Sequence, residues 1–154
     1  DNREIGLNSR LDTIQAAILL PKLQAFVNYE LEVVNKVAAW YTERLKQHFL
    51  TPTVRDGYYS SWAQYTILLD NKHERDTMQQ HLKKYGIPSM IYYPRGLHQQ
   101  EAYKWRGLSD EMYPNTVKAT KRVLSLPMHP YLEEADVDMV CDVMLKFREE
   151  TYEI

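Results

Sequence analysis

The sequence predicts an α+β domain in which about three strands are covered by helices. Three observations indicate this class. Two long segments repeat apolar residues every three or four positions, as amphipathic helices do, and short β-rich runs alternate with further helical segments. The chain has 154 residues, of which 44% are hydrophobic and 26% charged, and this composition is typical of one globular domain.

The composition also argues against several classes of function. With 19 Lys and Arg against 21 Asp and Glu, the formal net charge of -2 argues against nucleic acid as a partner. The longest apolar run, Ala16 to Leu20, is far shorter than the about 20 residues of a membrane-spanning helix, so we expect no membrane partner. The lone Cys141 and the lack of a signal-peptide pattern favour the cytoplasm.

A long helical spine is expected at the start of the chain. The first helix is predicted to begin at about Ser9, its N-cap, and to end or kink near residues 17–20 because Pro21 lacks a backbone donor. A second helix is then expected from Leu23 to Phe49. We interpret its apolar face as core packing against a sheet, with a coiled-coil seam as the alternative; the face comprises Leu23, Val27, Leu31, Val34, Ala38, Tyr41 and Leu45.

The next elements alternate between strands and a helix. A turn at Asp56-Gly57 precedes a strand expected from Trp62 to Leu69, and Asp70 or Asn71 caps the helix that follows. That helix is expected to bury Met78, Leu82 and Tyr85 and to end at Gly86 in the left-handed conformation. A further strand is expected from Ile87 to Tyr93, stopping at Pro94.

The remaining elements are short except for the last. A loop with short helices is expected from Arg95 to Val123, followed by an edge or terminal strand from Val123 to Met128 that contains Pro127. The acidic residues at 133, 134 and 136 then predict the start of a C-terminal helix. Its inward stripe comprises Val137, Val140, Cys141, Met144 and Leu145.

Asn8 and Arg10 are the first candidate site residues. They precede or open a helix, where free backbone N–H groups favour an anion, and both side chains can donate hydrogen bonds to phosphate or carboxylate. The alternative is a plain helix cap with a surface pair between Arg10 and Asp12.

Tyr92 and Tyr93, with His98 close behind, form the second candidate segment. Adjacent residues at a strand end point to opposite faces, so at least one tyrosine hydroxyl faces away from the core, although ordinary packing is the alternative. The histidines lack metal-ligand spacing, and the single cysteine lies in an apolar stripe that predicts a buried thiol. We therefore expect no metal site.

Three segments of the chain carry specific motifs. Gly6 to Leu19 follow the pattern G-x-N-x-R-L-D-x-x-Q-A-A-I-L, Tyr93 to His98 follow Tyr-Pro-x-x-Leu-His, and Leu124 to Pro130 follow L-S-L-P-M-H-P. In this order the three segments resemble the C-terminal part of the DegT/DnrJ/StrS family of pyridoxal-phosphate sugar aminotransferases. The resemblance covers essentially the whole chain.

The resemblance implies a fold and a division of the chain. The fold is the small C-terminal domain of the aspartate-aminotransferase type, pyridoxal-phosphate fold type I. Residues 1–49 are then the inter-domain helical segment and long helix, and residues 50–154 the small C-terminal α/β domain. The family's Schiff-base lysine belongs upstream of Gly6, so we expect a piece of a longer protein that is inactive alone.

The resemblance also implies an activity. Family members transfer an amino group, usually from glutamate, to a nucleotide-linked keto sugar, and they work as homodimers with shared active sites. By the family pattern, Asn8 reaches the phosphate of pyridoxal 5'-phosphate in the partner subunit, and Arg10 contacts the phosphate or a sugar substituent of the nucleotide sugar. Tyr92 and Tyr93 line the sugar pocket, with His98 as a further substrate-binding residue.

The subgroup resembled most acts on UDP-linked N-acetylated keto sugars for cell-surface polysaccharides or related glycans. Two alternatives stay open. One is a related sugar dehydratase, in which a histidine replaces the upstream lysine. The other is a non-catalytic interaction or regulatory module built on the same small domain.

Overall fold

A computed structural model describes residues 2–8 and 10–152. Its elements, in chain order, are α1 (Thr13–Ala25), a π-helical turn (Phe26–Glu30), α2 (Leu31–Leu45), β1 (Tyr65–Leu68), α3 (Lys72–Lys84), three 3₁₀ turns (Leu97–Gln99, Glu101–Arg106 and Asp110–Met112), α4 (Pro114–Thr120), β2 (Val123–Leu126) and α5 (Glu134–Tyr152). This helix-rich architecture with a small sheet agrees with the predicted α+β class.

The sheet of the described residues has two antiparallel strands, in which Tyr65 pairs with Leu126 and Leu68 with Val123. The first strand is shorter than expected because Trp62 has a φ of 46°, a left-handed conformation that a strand does not contain. β2 ends before Pro127, which has no backbone donor to continue the ladder.

The strand expected from Ile87 to Tyr93 does not form, so the described residues contain two strands instead of about three. The segment makes a single bridge to β2: the Met90 N–H donates to the Ser125 carbonyl at 3.0 Å, and the Ser125 N–H donates to the Met90 carbonyl at 2.7 Å. Pro88 cannot donate to a ladder, and the chain bends at Tyr92, so the pairing does not extend beyond that bridge.

The first helix begins later than predicted. Ser9, the expected N-cap, lies outside the described residues, and α1 begins at Thr13 with Asp12 as its N-cap. The Gln15 N–H donates to Asp12 Oδ1 at 2.8 Å, and Gln15 Oε1 accepts from the Asp12 N–H at 3.5 Å. This reciprocal capping box places the N-cap at Asp12, three residues after the predicted Ser9.

The helix also continues through Pro21 rather than ending before it. α1 runs to Ala25, and the irregularity falls in the π-helical turn, after which the Leu31 N–H donates to the Phe26 carbonyl. Ala17, whose carbonyl would have accepted the missing bond of Pro21, is exposed, so water can satisfy it. The break therefore lies about one turn after the proline.

Only the later part of the predicted spine reaches the core. α2 ends at Leu45, one turn before the expected Phe49, and it packs on α5. Four residues of the predicted apolar face are buried, namely Val34, Ala38, Tyr41 and Leu45. Two earlier residues of that face are exposed, Leu23 at 58% and Val27 at 67%. The core interpretation of the stripe holds for α2, and α1 contains no buried residue. The division at residues 49 and 50 stays a prediction.

A buried carboxylate ties the π-helical turn to the segment that precedes α5. Glu30 is 1% exposed, and both of its oxygens lie 2.6 Å from Lys22 Nζ. The Tyr131 hydroxyl donates to Glu30 Oε1 at 2.6 Å. The Lys22 bond first, and the Tyr131 bond second, lower the pKa of Glu30, so the carboxylate remains charged despite its burial.

The helix predicted after Asn71 and the C-terminal helix are confirmed with one correction. Asn71 caps α3 by accepting from the Glu74 N–H at 3.0 Å, and Gly86 follows the helix with a φ of +73°. Met78 and Leu82 are fully buried, but Tyr85 is 51% exposed because the chain leaves the helix at this residue. The predicted stripe of α5 is buried from Val137 through Met144, with Leu145 partly buried.

Candidate functional site

Tyr92 and Tyr93 line a cavity of about 590 Å³ that we call the tyrosine cavity. Tyr92 is half-buried and Tyr93 is 66% exposed, and their ring centroids lie 5.5 Å apart at an interplanar angle of 65°. The exposed Tyr93 agrees with the expectation that one of the two tyrosines faces away from the core. A phenolic hydroxyl both donates and accepts, so this wall suits a ligand rich in hydroxyl groups.

Sequence reasoning missed three residues that line the same cavity, Asn2, Arg95 and Gln100. The Asn2 N–H donates to Gln100 Oε1 at 2.8 Å, and the Ala102 N–H donates to the Asn2 carbonyl at 2.9 Å. Arg95 could have been found, because it lies two residues after Tyr93. Asn2 carried no such signal, since its partner is 98 residues away.

His98 does not line the tyrosine cavity. It is 8% exposed, its Nε2 lies 3.0 Å from Asp110 Oδ1, and its ring packs on Tyr113 with centroids 4.7 Å apart. Gln99 Nε2 donates to the same Asp110 oxygen at 2.8 Å. The side chain therefore supports the loop beside the cavity, and a direct substrate contact has no support in this geometry.

Gly96 allows the loop to fold this tightly. A Cβ atom at this position would lie 2.7 Å from His98 Cε1 and 2.8 Å from Thr116 Cγ2. The Gly96 N–H donates to Gln99 Oε1 at 2.9 Å, so the glycine is also held by the amide that bonds to Asp110. Gly96 and the next residue, Leu97, both line the cavity, whose wall is thus fixed by local bonds.

Asn8 and Arg10 are exposed and lie away from the lining of the tyrosine cavity. Within residues 2–8 and 10–152, neither side chain forms a hydrogen bond or an ion pair, and the alternative pair between Arg10 and Asp12 does not form. Both polar groups are therefore available to an anion outside this chain. The structure thus places both tyrosines in the tyrosine cavity and leaves both candidate anion ligands, Asn8 and Arg10, outside it.

Cys141 is buried, as its position in the apolar stripe predicted. Burial raises the pKa of its thiol to about 12, so the thiolate is scarce at neutral pH.

Among the residues that the structure describes, no group of three or more His, Cys, Asp or Glu side chains is placed to hold a metal ion. None of the helices in this part of the chain is long and apolar enough to cross a membrane.

Comparison with known proteins gives relatives over almost the whole chain. The chain is 44% identical over 140 residues to a UDP-2-acetamido-2-deoxy-3-oxo-D-glucuronate aminotransferase of Pseudomonas aeruginosa, covering 89% of this chain and 36% of the relative. It is 32% identical over 144 residues to a dTDP-3-amino-3,6-dideoxy-alpha-D-galactopyranose transaminase of Aneurinibacillus thermoaerophilus, covering 92% and 38%. The chain thus spans well under half the length of these relatives.

Solved structures show the same fold. A DegT DnrJ EryC1 StrS aminotransferase from Brucella abortus superposes with a TM-score of 0.82 at 46% identity, over 96% of this chain and 38% of the other. The sequence profile of the DegT/DnrJ/EryC1/StrS aminotransferase family matches residues 1–145. This match covers most of the chain, and it includes the three motif segments that the sequence analysis singled out. The chain belongs to the DegT/DnrJ/EryC1/StrS aminotransferase family.

Proposed function

We propose that this chain works as part of a longer aminotransferase that transfers an amino group from glutamate to a UDP-linked N-acetyl keto sugar for glycan biosynthesis. The observation that carries the proposal is the 44% identity to the Pseudomonas aeruginosa relative, whose name specifies such a UDP sugar. A second relative, 35% identical over 141 residues, is named as a UDP-N-acetyl-3-dehydro-alpha-D-glucosamine aminotransferase.

The tyrosine cavity supports a sugar-binding role. Its volume of about 590 Å³ lies within the range of about 300–1,000 Å³ typical of small-molecule sites. The hydroxyls of Tyr92 and Tyr93 can bond to sugar hydroxyls. In this proposal His98 positions the cavity loop through Asp110 instead of contacting the sugar.

The cofactor in this proposal is pyridoxal 5'-phosphate, which carries the amino group between donor and acceptor when bound. Asn8 fits the phosphate of this group, because its exposed amide can donate to an anionic oxygen and has no hydrogen-bond partner among the described residues. Arg10 fits the anionic part of the nucleotide sugar for the same reason. None of the described residues that line the tyrosine cavity is a lysine, so in this proposal these residues bind and orient while the amino-group chemistry needs a lysine from elsewhere.

A homodimer with shared active sites completes the proposal. α1 and the π-helical turn after it expose large apolar side chains on more than one side of the helix, and Asn8 and Arg10 lie just before α1. These side chains are Ile14, Ile18, Leu20, Leu23 and Val27, each at least 58% exposed. Exposed apolar side chains in this number are typical of an interface, so burial of α1 in an assembly would place the two polar residues at a subunit boundary.

The decisive experiment uses the longer protein that contains these residues, supplied with pyridoxal phosphate, glutamate and a UDP-N-acetyl 3-keto sugar. Mass spectrometry should detect the amino sugar and 2-oxoglutarate in equal amounts. Arg10→Gln and Tyr92→Phe should each lower kcat/KM about tenfold or more, because each removes a hydrogen bond to the substrate. Tyr58→Phe, at a tyrosine that is 74% exposed and outside the cavity, is the matched control.

Two results would contradict the proposal. A sugar product that has lost water and gained no nitrogen would identify the dehydratase alternative. Equal kcat/KM for the two site variants and for Tyr58→Phe would show that Arg10 and Tyr92 do not contact the substrate.

A regulatory role is the second candidate, and one observation favours it. A relative from Geobacillus stearothermophilus that is 39% identical over 147 residues is named a pleiotropic regulatory protein. If this role applies here, the longer protein should form no amino sugar with any nucleotide keto sugar. Its deletion should instead change gene expression, and that change should survive the Tyr92→Phe substitution.

A further inference from the structure

Gln100 contributes a buried amide to the wall of the tyrosine cavity. The residue lies between the 3₁₀ turns Leu97–Gln99 and Glu101–Arg106, and it lines the cavity although it is only 7% exposed. The polar atoms of a side chain buried to this extent normally have hydrogen-bond partners. The amide oxygen of Gln100 has such a partner, and the amide nitrogen has none among the described residues.

Hydrogen bonds fix both the main chain and the side chain of Gln100. Its main-chain N–H donates to the Leu97 carbonyl at 3.1 Å, and its carbonyl accepts from the Tyr103 N–H at 3.0 Å. Its Oε1 accepts from the Asn2 N–H at 2.8 Å, and the Asn2 carbonyl accepts in turn from the Ala102 N–H at 2.9 Å. The contact with Asn2 also identifies the amide oxygen, because a main-chain N–H cannot accept a hydrogen bond from an NH₂ group.

The Nε2 atom of Gln100 is a donor without a partner. It forms no hydrogen bond within residues 2–8 and 10–152, and it is not one of the side-chain atoms there that are both sealed from solvent and unpaired. The atom therefore remains accessible, and the tyrosine cavity is the space that this side chain lines. An amide nitrogen carries two N–H donors and no acceptor, so this point of the wall can only donate.

The rest of the cavity wall is also biased towards donating hydrogen bonds. None of the described residues that line it is an aspartate or a glutamate. Four main-chain carbonyls of the wall already accept hydrogen bonds from the protein, those of Gly96, Leu97, Ala119 and Thr120. Other polar side chains of the wall, such as the two tyrosine hydroxyls, both donate and accept.

A donor that cannot accept is best matched by a ligand oxygen that cannot donate. A carbonyl or carboxylate oxygen fulfils this condition, because it carries lone pairs and no hydrogen. A sugar hydroxyl can also accept from Gln100, but its own hydrogen then needs an acceptor in a wall that is biased towards donors. A methyl or methylene group at this point would cover the amide nitrogen and leave it unpaired, which is unfavourable.

We propose that Gln100 is a specificity-determining residue that selects sugars with a carbonyl-type oxygen against its Nε2 atom. The inference rests on the sugar aminotransferase function proposed above, and it names the chemical feature of the sugar that the tyrosine cavity recognises. Two substituents of a nucleotide sugar can supply such an oxygen, the carbonyl of an acetamido group and a carboxylate. In either case Gln100 acts on the choice of substrate and leaves the reacting atoms to other residues.

Isothermal titration calorimetry of the longer protein that contains these residues tests the proposal with three probes. UDP-N-acetylglucosamine carries an acetamido carbonyl, UDP-glucuronate carries a carboxylate, and UDP-glucose carries neither. Gln100→Glu keeps an oxygen for the Asn2 N–H but replaces the donor, and Gln100→Met removes the donor without adding a charge. Both variants should bind at least one of the first two probes about tenfold more weakly, because one hydrogen bond is lost, and should bind UDP-glucose as the wild type does.

The pattern of weakened binding distinguishes the two sources of the oxygen. Weaker binding of UDP-N-acetylglucosamine alone identifies the acetamido carbonyl, and weaker binding of UDP-glucuronate alone identifies the carboxylate. Weaker binding of both means that either oxygen can occupy the position, and each of these results supports the proposal. Gln47→Glu and Gln47→Met are the matched controls, because Gln47 is exposed and lies outside the cavity.

Four results would overturn the proposal. They are an equal change for all three probes, no difference between the Gln100 and Gln47 variants, weaker binding with Gln100→Glu but not with Gln100→Met, and no binding of any probe. Far-UV circular dichroism verifies that the variants are folded. The titration involves no turnover, so wild-type protein that forms the amino sugar without this selectivity contradicts only the role of Gln100. Selectivity without formation of the amino sugar contradicts only the proposed transamination.

Discussion

His98 Nε2 lies 3.0 Å from Asp110 Oδ1, and this contact joins the loop beside the tyrosine cavity to a residue twelve positions later. Gln99 strengthens the junction, because its Nε2 donates to the same oxygen at 2.8 Å while its Oε1 accepts from the Gly96 N–H. One carboxylate thus holds two consecutive side chains of the loop beside the cavity. We expect the stability of this loop to depend on the charge of the Asp110 carboxylate.

Stability in acid should therefore depend on Asp110. The hydrogen bond from Gln99, and next the one from His98, lower the pKa of Asp110 below its ordinary value of 3.8. A lowered folded-state pKa contributes stability that is complete above the ordinary pKa and is lost as the pH falls through the folded-state pKa. Asp110→Asn should lower the unfolding temperature near neutral pH, and the difference from wild type should shrink below pH 3.8.

Thermal unfolding followed by circular dichroism over that pH range checks this prediction. Asp142→Asn is the control, because Asp142 is exposed on α5 and has no hydrogen bond or ion pair in the described structure. A constant difference between Asp110→Asn and wild type down to the lowest pH would show that the carboxylate charge does not stabilise the loop.

Gly96→Ala should destabilise the chain by about 1–3 kcal/mol, the usual cost of forcing an extra carbon into a packed site. The added Cβ would lie 2.7 Å from His98 Cε1, which is itself fixed by Asp110 and cannot move aside freely. Gly6→Ala is a matched control, because a Cβ at Gly6 meets nothing within 4 Å. Urea unfolding measures both, and equal free energies of unfolding for the two variants would contradict the close packing at Gly96.

Tyr131→Phe should lower the urea midpoint of unfolding. The lost hydroxyl donates to Glu30 Oε1 at 2.6 Å, and Glu30 is buried, so the substitution removes a hydrogen bond from a charged, desolvated acceptor. Tyr58→Phe provides the control at an exposed tyrosine. If both substitutions leave the midpoint unchanged, the bond between Tyr131 and Glu30 does not stabilise the link from the π-helical turn to the segment before α5.

Cys141 should react with a thiol reagent only when the chain opens. Its side chain is buried and its pKa is raised to about 12, so both access and thiolate are scarce near neutral pH. Labelling with a thiol-specific chromogenic reagent should be slow in buffer and rapid in urea. Equally rapid labelling in both conditions would mean that α5 does not remain packed on the core in solution.

The sequence predicted elements whose causes are local. The Asn71 cap, the left-handed Gly86 and the apolar stripe of α5 are confirmed, since caps and helical periodicity depend on residues at most a few positions apart. The prediction of a third strand was wrong because strand pairing depends on residues that are distant in the sequence. Residues 87–93 have β-forming side chains, but strand formation requires a partner along their length, and they meet β2 only at Met90.

In the candidate site, too, the sequence identified some residues, whereas others became apparent only through contacts between distant segments. The sequence identified Tyr92 and Tyr93, and the structure places both in one cavity. It also singled out His98, which is buried beside the cavity and contacts Asp110 instead of lining the cavity. Asn2 and Gln100 were missed because nothing in their neighbourhoods signals a contact between residues 98 positions apart.

By itself, the sequence determined the α+β class, most helix positions, the buried cysteine and, through three motif segments, the aminotransferase family. Only the tertiary structure decided which motif residues share a cavity and how many strands pair. The physical reason is the range of the forces involved. Caps, turns and periodic burial act over a few residues, whereas cavities and charge clusters arise where distant segments pack together.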